Sequence, residues 1–127
     1  MKKVIVIDDD DDLRESFSML LSLNEFQVLA TGKDGKEAIE LYQKLKPDFI
    51  FLDYNMPNFD GMYALKEIRR IDPKSKIIII TGTCENHKIF LEKGAIAIFS
   101  KPVVPKEILR KIEEYDFLET IDSFLEE

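Results

Sequence analysis

The chain has 127 residues, 45% hydrophobic and 34% charged, with a formal net charge of −7. That is one domain's worth of ordinary globular sequence, long enough to bury a core without staples. It excludes a collagen-like or mainly disordered chain. The acidic balance argues against nucleic acid as a direct ligand, since phosphate binding needs a basic face. One cysteine, Cys84, and one histidine, His87, exclude an intramolecular disulfide and any multi-Cys or multi-His metal centre. No apolar run approaches the ~20 residues of a membrane span, and no cleavage site follows the N-terminal run. The expectation is a soluble, cytoplasmic domain.

In chain order, Val4–Ile7 is a β-branched run that ends in Asp8, and Leu13, Phe17, Leu20 and Leu21 then recur at helical spacing. Gln27–Ala30 reads as a second strand. Asp34-Gly35 reads as a turn, and Ala38, Ile39, Tyr42 and Leu45 mark a helix stopped by Pro47. Phe49–Leu52 is a third strand, ending at Asp53. Ala64, Leu65, Ile68 and Ile71 mark a third helix, stopped by Pro73. Ile77–Ile80 is a fourth strand, ending at Thr81. Glu85–Lys93 fits a short helix closed by Gly94. Ala95–Ser100 is a fifth strand, ending at Lys101-Pro102, and Pro105 opens a last helix through Ile108, Ile112 and Tyr115. The stripe is expected to continue through Leu118, Ile121 and Leu125. Five strand–helix units predict a three-layer α/β sandwich around a parallel sheet.

In such a sheet the carboxyl ends of all strands share one edge, where ligands bind. Asp8, Asp9, Asp53, Thr81 and Lys101 should therefore converge on one cleft. Clustered carboxylates repel one another and must take up protons or a cation. All-oxygen donors suit a hard ion, Mg²⁺. A divalent cation, a lysine and a hydroxyl around a carboxylate make a site for a phosphoryl group, with the carboxylate as nucleophile.

Over about residues 3–114 the chain resembles the receiver domain of two-component response regulators. The motifs are Val4–Asp9, Phe51-Leu-Asp-Tyr-Asn-Met-Pro-Asn-Phe-Asp-Gly61, Ile77–Gly82, and Gly94-Ala95 leading to Lys101-Pro102. The middle segment is similar to the single-domain chemotaxis receivers. The resemblance implies a flavodoxin-like strand order of 2-1-3-4-5, with Asp53 as phosphoacceptor, Asp9 as direct metal ligand and Asp8 as the acid holding metal-bound waters. It also implies Asn55 as backbone-carbonyl ligand, Thr81 as switch hydroxyl, and Lys101 as partner first of the acceptor, then of the phosphoryl group. Pro102 matches a proline that usually follows a cis bond. The implied donor is a phosphohistidine on a sensor kinase or phosphotransfer protein, and an unknown output protein reads the last two helices and strand 5. No direct nucleic-acid or membrane partner is implied, and no enzymatic activity beyond phosphorylation and dephosphorylation of its own aspartate.

Three features depart from the family pattern. Ile98 stands where an aromatic or histidine is common, and Phe99 beside it should point the other way. The interval from Thr81 to Gly94 is about two residues short. The chain also continues past the usual end, so that residues 1–114 read as the receiver and 115–127 as a C-terminal helical extension too short for a DNA-binding output domain. This extension either prolongs or folds back on the domain, or forms a docking or homodimer surface.

Asp11 and Asp12 read as acids at a helix N-terminus, Asp60 as a turn residue, His87 as a surface helix residue and Cys84 as a small filler. Two other functions compete. A haloacid-dehalogenase-type phosphatase would use Asp8-x-Asp10 but lacks the later acidic pair. A pseudo-receiver would bind partners without phosphorylation. A dinucleotide or flavin role has little behind it, because acids stand where glycines would have to follow strand 1.

Overall fold

A computed structural model describes residues 1–54, 56, 61–82 and 87–126. The strands are β1 (Lys2–Ile7), β2 (Phe26–Gly32), β3 (Phe49–Asp53), β4 (Ile77–Thr81) and β5 (Ala97–Ser100). The helices are α1 (Asp11–Ser22), α2 (Gly35–Leu45), α3 (Gly61–Ile71), α4 (His87–Glu92) and α5 (Pro105–Leu125). The sheet is parallel throughout, in the order β2-β1-β3-β4-β5. The α/β sandwich and the strand order are as expected.

Strand side chains alternate between two cores, as a period of two requires. Ile5, Ile7, Ile50, Leu52, Ile77 and Ile79 face α2, α3 and α4, where they meet Ala38, Leu65, Ile68 and Phe90. Val4, Val6, Phe49, Phe51, Ile78 and Ile80 face α1 and α5, meeting Leu21, Ile108 and Ile112. β3 and β4 are buried along their whole length, which is why they read as unbroken apolar runs.

Several boundaries differ from expectation: β1 starts at Lys2 rather than Val4, and α4 ends at Glu92 rather than Lys93. β2 is longer at both ends, because all six residues of β1 find partners between Phe26 and Gly32, with a bulge between Val4 and Ile5. β5 begins at Ala97, since Gly94 and Ala95 donate their backbone N–H groups to Leu91 and Phe90 and close α4 instead. Gly94 takes φ +110°, and a Cβ there would lie 2.5 Å from Arg69 Nε, so this turn requires glycine. The expected start of α4 at Glu85 lies outside the described residues.

Asp10 and Asp34 cap α1 and α2: their side chains accept the N–H groups of Leu13 at 3.0 Å and Glu37 at 2.8 Å. The turn read at Asp34 is thus a helix cap.

The Tyr42 hydroxyl on α2 donates to Asp72 Oδ2 at 2.7 Å, tying α2 to the α3–β4 turn. That bond, helped by the Lys74 N–H, holds the Asp72 carboxyl below the usual carboxylate range, while burial and the Asp72 charge push the Tyr42 hydroxyl up. A carboxyl with a depressed folded-state pKa stabilises above its unfolded value, near 3.9, and loses that contribution as pH falls through the folded value. Tyr42→Phe should therefore cost about 1 kcal/mol at pH 7, discounted for the partial exposure of Asp72. The cost should shrink below about pH 4. Urea melts of both proteins at pH 7 and pH 3 measure the difference.

α5 continues unbroken to Leu125, but its apolar stripe does not. At about 100° per residue, each step of three turns the stripe back by about 60°. Ile108 and Ile112 are buried against the sheet, and Tyr115 lies on the same side of the helix. Phe117, Ile121 and Phe124 fall on the opposite side, Leu118 and Leu125 fall on the flank next to them, and all five are exposed. The expected single stripe from Ile112 to Leu125 is corrected to two stripes back to back. Below the first of them, Lys2 and Lys76 pair with Asp116, and Lys76 also with Glu119. Seven of the 25 acidic side chains, and none of the 18 basic ones, lie beyond Ile112, which leaves 18 of each sign in residues 1–112.

Candidate functional site

The carboxyl ends of β1, β3, β4 and β5 deliver Asp8, Asp53, Thr81 and Lys101 to one edge. Asp8 and Asp53 are buried, at 8% and 3% exposure, and Thr81 at 1%. Asp9, in the β1–α1 loop, is exposed. Carboxylate oxygens of Asp8, Asp9 and Asp53 lie within 4.8 Å of one another. Lys101 Nζ sits 3.5 Å from Asp8 Oδ2 and 3.5 Å from Asp53 Oδ1. Lys101 is joined to its neighbour Pro102 by a cis peptide bond.

The donor set suits Mg²⁺. Bonds of about 2.1 Å put octahedral oxygens at most about 4.2 Å apart. Only one pair among three ligands can be that far apart, and neighbouring oxygens stand about 3.0 Å apart, so the carboxylates would have to draw in around the ion or reach it in part through bound water. Lys101 offsets part of their mutual repulsion. Asn55, expected to contribute a carbonyl, lies outside the described residues, as do Asp60, Thr83 and Cys84.

The site is braced from below. Tyr54 donates its N–H to Ile80 O at 3.0 Å, and Lys101 donates its N–H to Thr81 O at 2.8 Å. A Cβ on Gly61 would come within 2.7 Å of both Asp53 O and Tyr54 Cα, so the start of α3 can pack against the Asp53 loop only as glycine. Ile98 packs into the core on the α2–α4 side and Phe99 into the core on the α1–α5 side, which keeps the Phe99 ring away from the position an aromatic would take at Ile98. The aromatic contact next to the site is instead Tyr54 edge-on against Phe90 of α4, centroids 4.7 Å apart. Beside the carboxylates, a cavity of about 410 Å³ runs under α1, lined by Leu13, Phe17, Phe51, Ile80, Pro102 and Val103 among others.

Two acids beside the site have structural partners. Asp10 is occupied in capping α1. Asp11, expected only to favour the helix dipole, also pairs with Arg14 at 2.6 Å. Arg14 was not among the expected site residues; the Asp11–Arg14 spacing of three was its only signal in the sequence.

A sequence model of the response regulator receiver domain matches residues 4–113. The chain belongs to the response regulator receiver family. This receiver is 30% identical to the chemotaxis protein CheY of Thermotoga maritima over 115 residues, 89% of this chain and 96% of that protein. It is 35% identical to a protein-glutamate methylesterase/protein-glutamine glutaminase of Archaeoglobus fulgidus, matching 87% of this chain but only 35% of that protein. Among solved structures, it superposes on a receiver domain protein of Clostridium thermocellum with a TM-score of 0.85 at 26% identity, covering 95% of this chain and 98% of that one. It superposes on a CheX–CheY–BeF3–Mg²⁺ complex of Borrelia burgdorferi with a TM-score of 0.84 at 25% identity, covering 90% and 88%. Membership in the receiver family sets aside the phosphatase alternative. Among the described residues, no helix is long and apolar enough to cross a membrane.

Proposed function

We propose that this receiver works as a single-domain cytoplasmic switch that accepts a phosphoryl group on Asp53. The observation that carries the reading is the placement of a lysine ammonium 3.5 Å from both Asp8 and Asp53, in a cluster where Asp9 completes a set of three close carboxylates. The match to nearly the whole length of CheY relatives supports the single-domain form. The Mg²⁺ in the solved CheX–CheY complex supports the choice of ion.

In this reading Asp8, Asp9, Asp53 and the carbonyl of Asn55 hold Mg²⁺, with Asp8 acting through metal-bound water. When bound, the ion supplies positive charge against the transferring phosphoryl oxygens. Asp53 supplies the nucleophilic oxygen. The bond from phosphorus to the donor's imidazole nitrogen breaks as the bond to Asp53 Oδ forms, and the imidazole leaves as the neutral ring, keeping the proton on its other nitrogen. The donor is a phosphohistidine of a sensor kinase or phosphotransfer protein. Lys101 turns from the carboxylates to the phosphoryl oxygens, and Thr81 offers its hydroxyl to the same group. Output passes to a partner protein through the face of α4, β5 and α5. The Tyr54–Phe90 contact links the loop after Asp53 to that face where the usual aromatic is replaced by Ile98.

Intact-protein mass after incubation with acetyl phosphate tests the reading. One phosphoryl group should be gained with Mg²⁺ present, and none when Mg²⁺ is chelated or when Asp53 is replaced by Asn. Absence of both phosphoryl gain and Mg²⁺ binding would establish the pseudo-receiver instead.

Within the same proposal, the exposed outer stripe of α5 serves as a homodimer contact between copies, its apolar attraction opposed by the like charge of the acidic tail. Sedimentation velocity should show a dimer that strengthens as salt screens the acids. Leu118→Asp should give a monomer.

A further inference from the structure

We propose that Arg14 is a positioning residue for the metal-binding loop between β1 and α1. Its guanidinium spans the loop: one nitrogen donates to the backbone carbonyl of Asp8 at 2.8 Å, the other to the Asp11 carboxylate at 2.6 Å. The side chain is only 19% exposed, while its Asp11 partner is 82% exposed. Arg14 is therefore packed beside the loop rather than waving above the surface.

One anchor is the main chain of Asp8 itself, and the other, Asp11, lies just beyond Asp9 and Asp10. Asp8 and Asp9 lie between the end of β1 and the start of α1. Within that turn the Asp10 N–H donates to Asp8 Oδ1 at 2.9 Å, and the Asp10 side chain caps the helix. The Asp10 N–H orients one oxygen of Asp8, leaving Oδ2 toward Lys101. Arg14 fixes the main chain from which that carboxylate hangs. A planar fork with two fixed donors can bridge a carbonyl and a carboxylate; a lysine, as a single point donor, cannot hold both in one geometry.

The alternative role is electrostatic, and it predicts the opposite sign. A guanidinium near three carboxylates would repel an arriving divalent cation, so its removal would tighten Mg²⁺ binding. Two observations favour positioning. Asp11 neutralises the guanidinium at close range, and the contact facing the site is to a carbonyl oxygen, not to a ligand carboxylate.

This inference rests on the reading that Asp8, Asp9 and Asp53 hold Mg²⁺. Calorimetric titration of the full chain with MgCl₂ tests it. Wild-type protein should bind one ion. Arg14→Ala should weaken binding about 10–100-fold, the usual effect of removing a group that orients a ligand residue. Arg14→Lys, which keeps the charge, should be weakened nearly as much. Asp11→Ala, which frees one arm of the fork, should fall between. Arg110→Ala, at an exposed arginine on α5, should leave affinity unchanged. Melting in chelator checks that each variant folds; should Arg14→Ala fail to fold, Arg14→Lys and Asp11→Ala carry the test. Binding by Arg14→Ala equal to or tighter than wild type, or full affinity in Arg14→Lys, would overturn the positioning role. A wild-type protein that binds no Mg²⁺ would overturn the metal reading itself, and with it this one.

Discussion

Lys101→Ala is expected to slow Mg²⁺-dependent phosphoryl uptake about 100-fold or more, the usual consequence of removing one preorganised charge from an anionic transition state. The ammonium is held at 3.5 Å from two buried carboxylates, so it is already in the site when the donor arrives and has only to turn to the phosphoryl oxygens. The same substitution should move Mg²⁺ affinity the other way. Removing the cation leaves Asp8, Asp9 and Asp53 to repel one another without compensation, and a divalent ion relieves that repulsion. Slower uptake together with tighter Mg²⁺ binding is therefore the signature. The chain also becomes less stable in chelator and regains stability on addition of Mg²⁺ by mass action. Timed intact-mass measurements with acetyl phosphate, beside calorimetric titration of Mg²⁺, check both directions. Weaker Mg²⁺ binding in the variant would mean that Lys101 organises the acids rather than competing with the ion.

Phe51→Ala is expected to cost about 3–5 kcal/mol, a large part of the 5–15 kcal/mol that holds a domain of this size folded. The Phe51 ring is fully buried on the central strand. It meets Phe17 of α1 edge-on at 5.4 Å and Phe26 of β2 at 5.8 Å, so one truncation removes both aromatic contacts. It also opens the cavity under α1, which the ring already lines, and the rigid strand gives the site little room to collapse. Phe51 stands two residues before Asp53, so the loss would loosen the wall behind the phosphoacceptor. With no tryptophan in the chain, urea unfolding followed by far-ultraviolet circular dichroism is the measurement of choice.

Much of this architecture is legible in the residues because strands buried on both faces leave little ambiguity. Phe49–Leu52 and Ile77–Ile80 read as central strands because they are short, unbroken and set between helical stripes, and the polar residue ending each run marks the functional edge. Where side chains are chosen by local hydrogen bonding instead, the pattern misleads. Asp34 before Gly35 looks like a turn and is a helix cap. Asp11 looks like a dipole partner and is also an anchor for Arg14. A residue whose work is to grip a backbone carbonyl leaves almost no trace in composition or spacing, which is why Arg14 emerges only from the structure. The last helix failed for a geometric reason. Steps of three from Ile112 to Ile121 look continuous on the page but rotate the stripe around the cylinder.

That rotation separates two events in space. The carboxylates stand at the carboxyl ends of the strands, whereas α5 runs past Lys2 and Lys76 at the amino ends before presenting Phe124 on the side turned away from the sheet. A protein delivering a phosphoryl group and a protein gripping the outer stripe would therefore approach opposite poles of the domain. Neither would obstruct the other, and both could be engaged on one copy at the same moment.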